Sequence, residues 1–251
     1  MTRIVAVIPA RMGSTRFPGK PLADLLGRPM IEHVYRGTAA CGLLDDTFIA
    51  TCDAVIAEAA RGFGARSVMT STAHTRATDR IAEATANDPA EIIVMVQGDE
   101  PMVRAGMIDA AVAPLLADPA VACVNLAAPI RSEEELRDPN TIKTVMARSG
   151  DALYFSRQPI PTVSRQRPFA IGEWYKQVCI MAFRREALRT FSSLPESPLE
   201  IAESIDMLRF LENGLGVRMV LTKEETYAVD TPADLARVAA LLGRGPTRVA
   251  P

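Results

Sequence analysis

Apolar runs of strand length alternate with longer amphipathic segments through the first half of the chain. The continuous apolar runs predict buried strands at residues 4–8, 47–51, 67–70, 92–96 and 122–127. The segments between them have the spacing and end signals of helices, at residues 30–41, 55–62, 78–86 and 106–116. Strands that alternate with helices are typical of a parallel sheet covered by helices. The pattern therefore predicts an α/β fold.

The second half has a less regular pattern. Short strands are predicted at residues 144–146, 153–155, 177–183 and 217–222. Residues 200–212 predict one amphipathic helix, with Ile201, Ile205 and Leu208 on a shared apolar face. Thr231 and Pro232 suit the N-cap and the first position of a last helix. No repeat or linker divides the chain, so we expect one domain over residues 1–242 and a frayed tail over residues 243–251.

The first predicted strand leads directly into a loop with three cations, Arg11, Arg16 and Lys20. Small residues in a loop let the backbone turn sharply and bring its N–H groups close to a ligand. The small residues here are Ala10, Gly13 and Ser14. Such a loop at the end of a strand predicts a binding site for a polyphosphate. A basic surface loop is the alternative, but it explains only the charge.

Two common phosphate-binding loops do not fit this segment. A P-loop has four residues between its first glycine and its Gly-Lys pair, and Ser or Thr must follow. Here five residues separate Gly13 from Gly19, and Pro21 follows Lys20. The three spaced glycines of a dinucleotide-binding turn are also missing from the loop. These two loop types are therefore excluded.

The composition narrows the class of protein. The chain has 251 residues, of which 48% are hydrophobic, and a net charge of −2. These values are typical of a soluble globular protein and argue against binding of nucleic acid. The four cysteines are far apart and form no CxxC pair, which favours reduced thiols over a zinc site. No apolar run is long enough for a signal peptide or a membrane span, so we expect a cytoplasmic protein.

The cationic loop resembles the opening segment of a known enzyme family. Ile8-Pro9-Ala10-Arg11 and Pro18-Gly19-Lys20-Pro21 are similar to the corresponding stretches of the 3-deoxy-manno-octulosonate (Kdo) cytidylyltransferases. The resemblance extends over nearly the whole chain. It implies a Rossmann-like, mostly parallel sheet flanked by helices, and transfer of CMP from CTP to Kdo with release of pyrophosphate. It also implies Mg²⁺ as cofactor, a homodimer and a role in supplying lipopolysaccharide or capsule precursors.

A second motif, Gln97-Gly98-Asp99-Glu100-Pro101, follows the strand predicted at residues 92–96. Ligands of open α/β sheets bind at the carboxyl ends of strands, so this motif and the cationic loop should face one crevice. Asp99 offers the oxygen ligand that the magnesium ion of a nucleotide requires. A turn in which Asp99 bonds its own backbone is the alternative. The resemblance implies that Asp99 binds Mg²⁺ and that Gln97 contacts the sugar acid.

Another candidate carboxylate lies near the last helix, in Val229-Asp230-Thr231-Pro232. The residues alone are equally consistent with a simple helix start. In the resembled family, a Val-Asp-Thr-Pro sequence at this place carries the other magnesium-binding aspartate. We therefore expect Asp99 and Asp230 to form the metal pair. Arg11 and Lys20 are expected to be the catalytic cations beside them.

The resemblance implies that Thr78, Asp79 and Arg80 take part in the recognition of cytosine. The residues alone are equally consistent with Thr78 and Asp79 at the start of a helix. The family has a Ser-Gly pair just before them, where this chain has Arg76-Ala77. A nucleotidyltransferase for another base therefore stays an alternative. A non-catalytic nucleotide-sensing module is the alternative from another class, and loss of a metal carboxylate would favour it.

Residues of the second half are expected to bind the acceptor. Arg157 has the planar guanidinium that suits a carboxylate, and Glu200 or Glu203 is expected to accept sugar hydroxyls. Gln177 stands where the family has a histidine near the sugar. Further departures from the family pattern in the same strand are Cys179, Met181 and Phe183. Hydroxyl contacts discriminate strongly between substrates, so amino-Kdo, another keto acid or a phosphonate stays an alternative acceptor.

Overall fold

The computed structural model describes residues 2–13 and 16–243 of the chain. Within these ranges the strands are β1 Ile4–Ala10, β2 Asp24–Leu25, β3 Arg28–Pro29, β4 Asp46–Thr51, β5 Arg66–Met69, β6 Ile92–Val96, β7 Cys123–Pro129, β8 Lys143–Met146, β9 Ala152–Ser156, β10 Tyr175–Arg184 and β11 Arg218–Leu221. The helices are α1 Met30–Ala39, α2 Ala54–Gly62, α3 Ala77–Ala84, α4 Ala105–Ala117, α5 Glu133–Arg137, α6 Arg185–Ser193, α7 Pro198–Glu203, α8 Met207–Glu212 and α9 Pro232–Leu242. None of these helices is long and apolar enough to cross a membrane.

Most strands belong to one central sheet. Its main path runs β11-β7-β10-β6-β1-β4-β5, and β8 and β9 extend it beside β10. The strands of the main path are parallel except for β10, which is antiparallel to both of its neighbours. The predicted α/β fold with a mostly parallel sheet is confirmed. The tail predicted over residues 243–251 lies outside the described residues except for Gly243.

The apolar run of β1 is buried on both faces of the sheet. Ala6 and Ile8 pack in a cluster with residues of α1 and α4, and Val5 and Val7 pack in a second cluster with residues of α3, α6 and α8. Because alternate side chains of a strand point to opposite faces, a strand covered on both faces must be apolar throughout. The continuous apolar run in the sequence has this cause.

The prediction of a single helix over residues 200–212 is wrong. The chain forms α7 and α8 instead, and Ser204 between them has a left-handed backbone with φ of 54°. The break leaves Ile201 at 58% exposure while Ile205 is buried, so the two do not share one face. The carbonyl groups of Glu203 and Ser204 at the end of α7 accept hydrogen bonds from Arg157, which satisfies acceptors that a helix end leaves open. Arg157 lies 46 and 47 residues before these two acceptors in the chain, so a local pattern does not show the break.

The ends of β1 and β6 bring the two predicted motifs together. β1 and β6 are adjacent and parallel, with Val7 beside Met95 in the register, so the cationic loop and the motif at residues 97–101 leave the same edge of the sheet. Gly98 packs so closely that a Cβ atom there would lie 2.9 Å from the carbonyl oxygen of Pro9 and 3.2 Å from Ile31 Cδ1. Only glycine allows this approach without a shift of the backbone.

Candidate active site

A cavity of about 1040 Å³ opens at this edge of the sheet. The cationic loop contributes Ala10, Arg11, Gly13, Arg16 and Lys20 to its wall. Other wall residues that the sequence predicted as functional are Arg80, Gln97, Asp99, Arg157, Gln177 and Asp230. Ser14, also predicted to bind nucleotide, lies outside the described residues.

Two carboxylates meet the cationic loop in this cavity. Lys20 Nζ lies 2.9 Å from Asp99 Oδ2 and 3.4 Å from Asp230 Oδ1, and it donates a third hydrogen bond to the carbonyl of Val229 at 2.7 Å. Asp99 follows β6 and Asp230 precedes α9, so the convergence is a property of the fold and not of a local turn. Both carboxylates of the predicted metal pair thus lie within 3.4 Å of the same amine. Magnesium binding itself stays a prediction.

The Lys20 amine is held in its charged form. Its side chain is only 12% exposed, and burial by itself lowers the pKa of an amine. The charges of Asp99 and Asp230 and their hydrogen bonds act in the opposite direction and raise the pKa of Lys20 above its ordinary value. Lys20 therefore brings a full positive charge between the two carboxylates at neutral pH.

The donor set suits a magnesium ion that also binds a nucleotide. Among the described residues, Asp99 Oδ1 is the one buried side-chain oxygen or nitrogen without a hydrogen-bond partner. A buried carboxylate oxygen needs a partner, and Mg²⁺ commonly uses one or two carboxylates together with phosphate oxygens and water. No group of three His, Cys, Asp or Glu side chains within the described ranges could hold a metal ion. Asp99 and Asp230 thus fit an ion that is shared with a nucleotide.

The other two loop cations differ in what they bind. Arg16 Nη2 lies 2.9 Å from Asp230 Oδ1, and Nη1 is hydrogen-bonded to Asn140. Arg11 lines the cavity with no ion pair or hydrogen bond from its guanidinium to the described part of the chain. An unpaired guanidinium at the wall of a cavity is available for the oxygens of a phosphate group.

The three residues predicted to recognise the base have other partners. Thr78 is buried and donates from Oγ1 to Asp206, and Asp79 pairs with Arg209 at 3.0 Å. Neither of them lines the cavity. Arg80 does line it, but its guanidinium is bonded to Thr70 and to backbone carbonyls of residues 71 and 74. In this structure the side chains of Thr78 and Asp79 hold α3 to Asp206 and to Arg209 of α8, and their part in the recognition of cytosine stays a prediction.

The two glutamates predicted to bind the acceptor are also structural. Glu200 is fully buried, and its carboxylate pairs with Arg209 at 2.7 Å. It also completes the capping box of α7 by accepting from the backbone N–H of Ser197. Glu203 accepts from Ser156 Oγ and from the backbone N–H of Arg157. Neither glutamate lines the cavity, and their contact with sugar hydroxyls stays a prediction.

Arg157 lies at the cavity wall with much of its hydrogen-bonding capacity already used. Nε, Nη1 and Nη2 each donate to a backbone carbonyl, of Glu203, Pro139 and Ser204. A guanidinium has five N–H groups, so one on Nη1 and one on Nη2 remain. These two are what Arg157 can offer to an acceptor.

Asn125 belongs to the site but was not found by the sequence analysis. It is fully buried in β7, where Oδ1 accepts from Gln177 Nε2 and Nδ2 donates to the carbonyl of Val178 at 2.8 Å. Gln177 is thereby held at the cavity wall, and no donor of the described residues reaches its side-chain oxygen. The signal in the sequence was a polar residue inside an otherwise apolar strand, which requires a partner when buried.

Glu100 is a second residue that was missed. Its carboxylate accepts from the backbone N–H of Cys179 at 3.1 Å and from Thr226 Oγ1 at 2.8 Å. Burial and then the neighbouring charge of Asp99 raise the pKa of Glu100 to about 7, against the effect of its hydrogen bonds and of Lys176. Glu100 therefore ties the end of β6 to β10 and to the segment before α9, and this fixes Asp99 between them.

Comparisons with known proteins agree with this geometry. A cytidylyltransferase family model matches residues 5–224. A protein of Geobacter metallireducens named 3-deoxy-manno-octulosonate cytidylyltransferase is 46% identical over 250 residues, which cover 96% of this chain and 98% of that protein. The chain belongs to the 3-deoxy-manno-octulosonate cytidylyltransferase family. Membership of the Kdo cytidylyltransferases makes the protein a nucleotidyltransferase.

Further relatives support the same family. The protein of this name from Geobacter sulfurreducens is 47% identical and covers 94% of this chain and 97% of its own length. A solved structure of CMP:2-keto-3-deoxy-manno-octonic acid synthetase complexed with CTP is 39% identical, with a TM-score of 0.88 and coverage of 98% of this chain and 100% of that chain. The fold predicted from the resemblance to Kdo cytidylyltransferases is thus confirmed.

Proposed function

We propose that the protein transfers CMP from CTP to the anomeric hydroxyl of Kdo and releases pyrophosphate. The observation that carries the proposal is the meeting of Lys20, Asp99 and Asp230 in one cavity. The names of the related proteins and the CTP complexed with the solved relative support this substrate pair. The product would supply the synthesis of lipopolysaccharide or capsule.

The cationic loop is proposed to hold the triphosphate of CTP. The acceptor hydroxyl oxygen forms a bond to the α-phosphorus while the bond from that phosphorus to the oxygen of the leaving pyrophosphate breaks. Negative charge then builds up on pyrophosphate, and Arg11, Arg16 and Lys20 stabilise it. The hydroxyl proton passes to water. Positioning and electrostatic stabilisation are sufficient for such a transfer, so no protein nucleophile is needed.

We propose Asp99 and Asp230 as the residues that hold Mg²⁺. When bound there, the ion would neutralise phosphate oxygens and lower the pKa of the acceptor hydroxyl. The Lys20 amine then has two alternative partners. It pairs with the two carboxylates when no nucleotide is bound, and with the triphosphate when CTP is bound. Asp99 Oδ1, which has no partner within the described part of the chain, supports the metal assignment.

The acceptor is proposed to lie between Gln97, Gln177 and Arg157. Gln177 offers a fixed carbonyl oxygen to a hydroxyl of the sugar, because Asn125 engages its amide nitrogen. The two remaining N–H groups of Arg157 are available to the carboxylate of the sugar acid. Gln97 lies next to Asp99 on the same wall.

A homodimer is proposed as the functional assembly. Among the described strands β9 pairs only with β8. Beyond Ala152, whose N–H donates to the carbonyl of Val217, the other side of β9 is an edge, and Leu153 there is 62% exposed. An uncovered edge with an exposed apolar residue is typical of a surface that another chain covers. Light scattering after size-exclusion chromatography tests this directly. A mass near 54 kDa, twice the 27.1 kDa of the chain, is expected, and a monomeric mass would contradict it.

We propose a cytoplasmic location because the cysteines form no disulfide bonds. All four cysteines, Cys41, Cys52, Cys123 and Cys179, are free. Free thiols in these numbers are usual in a reducing compartment.

A matrix of nucleotides and acceptors tests the proposed reaction. CTP, UTP, GTP and ATP are each combined with Kdo, amino-Kdo, other keto acids or a phosphonate, and pyrophosphate release is measured. The proposal expects release with CTP and Kdo, and loss of it in the Asp99→Asn variant. Release only with another acceptor or another base would replace the substrate assignment. Binding of CTP without any release would indicate a nucleotide sensor.

A further inference from the structure

The carboxylate of Asp53 reaches from the end of β4 to the cationic loop. Asp53 follows β4, which is the neighbour of β1 in the sheet. Its Oδ2 accepts a hydrogen bond of 2.8 Å from the backbone N–H of Met12. Met12 lies between Arg11 and Gly13, and both of these line the cavity, whereas Met12 packs against the apolar core. The bond thus fixes the backbone of the loop at Met12, the residue between the two that line the cavity.

The side chain of Asp53 does not cap the helix that follows it. It occupies the N-cap position of α2, where an aspartate normally accepts from a backbone N–H of the first turn. Its side chain makes no such capping bond here. The backbone of Asp53 is fixed separately, because its N–H donates to Thr51 Oγ1 at 3.1 Å. The carboxylate of Asp53 therefore bonds the cationic loop instead of capping its own helix.

We propose that Asp53 is a positioning residue for CTP binding. It sets the conformation in which the loop presents Arg11 and its backbone to the triphosphate. Asp53 does not line the cavity itself, so it acts through Met12 and not by touching the nucleotide. The proposal rests on the proposed function, since it takes the loop ligand to be the triphosphate of CTP.

The chain contains a matched control for this bond. Asp45 Oδ2 accepts from the backbone N–H of Ile4 at 2.7 Å, at the opposite end of the same strand β1. Both bonds join a carboxylate to a backbone N–H 41 residues earlier in the chain. Asp45→Ala therefore removes the same kind of contact from β1 at a place that is remote from the cavity.

The experiment compares Asp53→Ala, Asp53→Asn and Asp45→Ala in steady-state kinetics with CTP and Kdo. Asp53→Ala should raise the KM for CTP about tenfold or more and change the KM for Kdo by less than about twofold, because only the triphosphate loop is released. The KM of Asp53→Asn for CTP should stay within about threefold of that of the original protein, since an amide oxygen can still accept a hydrogen bond from the N–H of Met12. Asp45→Ala should leave the KM for CTP unchanged. Thermal melts confirm that each variant is folded.

A second readout does not depend on activity. Hydrogen exchange of the Met12 amide should be faster in Asp53→Ala than in the original protein and in Asp45→Ala. An unchanged CTP KM in Asp53→Ala, an Asn variant as poor as the Ala variant, or an equal loss in Asp45→Ala would overturn the role of Asp53. Failure of the original protein to bind CTP would overturn the proposed function instead, so the two failures are distinguishable.

Discussion

Lys20 and Asp99 form an ion pair of 2.9 Å at the edge of the sheet, between the first loop of the chain and the loop after β6. The same amine also lies 3.4 Å from Asp230, so Lys20 is shared between two carboxylates, of which Asp230 is paired with Arg16 as well. A divalent ion at these carboxylates and the Lys20 amine compete for the same negative charge. A triphosphate that draws Lys20 away therefore makes room for the metal, and nucleotide and metal are expected to bind together.

The first prediction concerns metal binding without nucleotide. Lys20→Met should bind Mn²⁺ at least about tenfold more tightly than the original protein in the absence of CTP, because the competing charge is gone. Paramagnetic resonance of free Mn²⁺ measures this. Lys176→Met is the control, since Lys176 lies in the same cavity but pairs with Glu135 at 2.6 Å. Equal Mn²⁺ affinity in the original protein and in Lys20→Met would contradict the competition.

The second prediction concerns the contact between Gly98 and β1. A Cβ atom at position 98 would meet the carbonyl oxygen of Pro9 at 2.9 Å, and backbone atoms move only with the strand. Gly98→Ala should therefore destabilise the fold by about 1–3 kcal/mol and displace Asp99, so that turnover falls further than stability alone explains. Chemical denaturation and pyrophosphate release measure the two effects.

Gly106 provides the control for that substitution. It lies in the first turn of α4, and a Cβ atom there would have nothing within 4 Å. Gly106→Ala should be neutral or slightly stabilising, with normal turnover. Full activity in Gly98→Ala would show that the two motifs do not need this close approach.

The third prediction concerns selection of the acceptor. Gln177→Leu keeps the size of the side chain but removes the oxygen offered to the sugar, so the KM for Kdo should rise about tenfold or more. The KM for CTP should change by less than about twofold, because the nucleotide loop is untouched. Gln158→Leu, at an exposed position, is the control. An increase in the KM for CTP alone would assign Gln177 to the nucleotide instead.

The fourth prediction concerns pH and Lys143. Its buried amine donates to the carbonyls of Asp138 at 2.8 Å, Thr141 at 2.7 Å and Arg157. Burial, the largest effect, and the charge of Arg157 lower the pKa of Lys143 to about 8, while Asp138 and Glu203 oppose the shift. In the unfolded chain the pKa returns to 10.5, so between these values the unfolded state binds more protons.

The stability difference between the original protein and Lys143→Met should follow this titration. It should be constant below about pH 7 and rise in favour of the original protein by about 3 kcal/mol in total between pH 8 and 10.5. Urea denaturation at a series of pH values measures it, and the variant corrects for all other groups. A difference that is flat over this range, or that falls, would contradict the lowered pKa.

Local patterns were sufficient for the central strands β1, β4, β6 and β7, because these strands are buried on both faces. β6 was predicted with its observed bounds from its apolar run alone, and the cap of α9 was recognised from Thr231 and Pro232. In this cap the backbone N–H of Asp234 donates to Thr231 Oγ1, and the backbone N–H of Thr231 donates to the carboxylate of Asp234. Both bonds join residues three apart in the chain, so a local pattern is sufficient to recognise them. The joint position of the two motif loops followed from the rule on strand ends.

Long-range ion pairs could not be predicted in the same way. Glu200 and Asp79 are acidic residues, a type that is usually exposed. Both form ion pairs with Arg209, which lies 130 residues after Asp79 in the chain, so a local pattern could not show these contacts. The break between α7 and α8 likewise depends on Asp206 bonding to Thr78 and on Arg157 bonding to the end of α7. Asp230 was assigned through the family resemblance, since its surroundings alone suit a helix start equally well.

The central claim is that the cationic loop, Asp99 and Asp230 surround one metal ion and the triphosphate of CTP. Crystals grown with CTP and Mn²⁺, measured near the manganese absorption edge, test it most directly. The account predicts an anomalous peak within about 2.5 Å of a carboxylate oxygen of Asp99 and of Asp230, with phosphate oxygens completing the coordination. A metal peak remote from either carboxylate, with CTP bound elsewhere in the molecule, would contradict it.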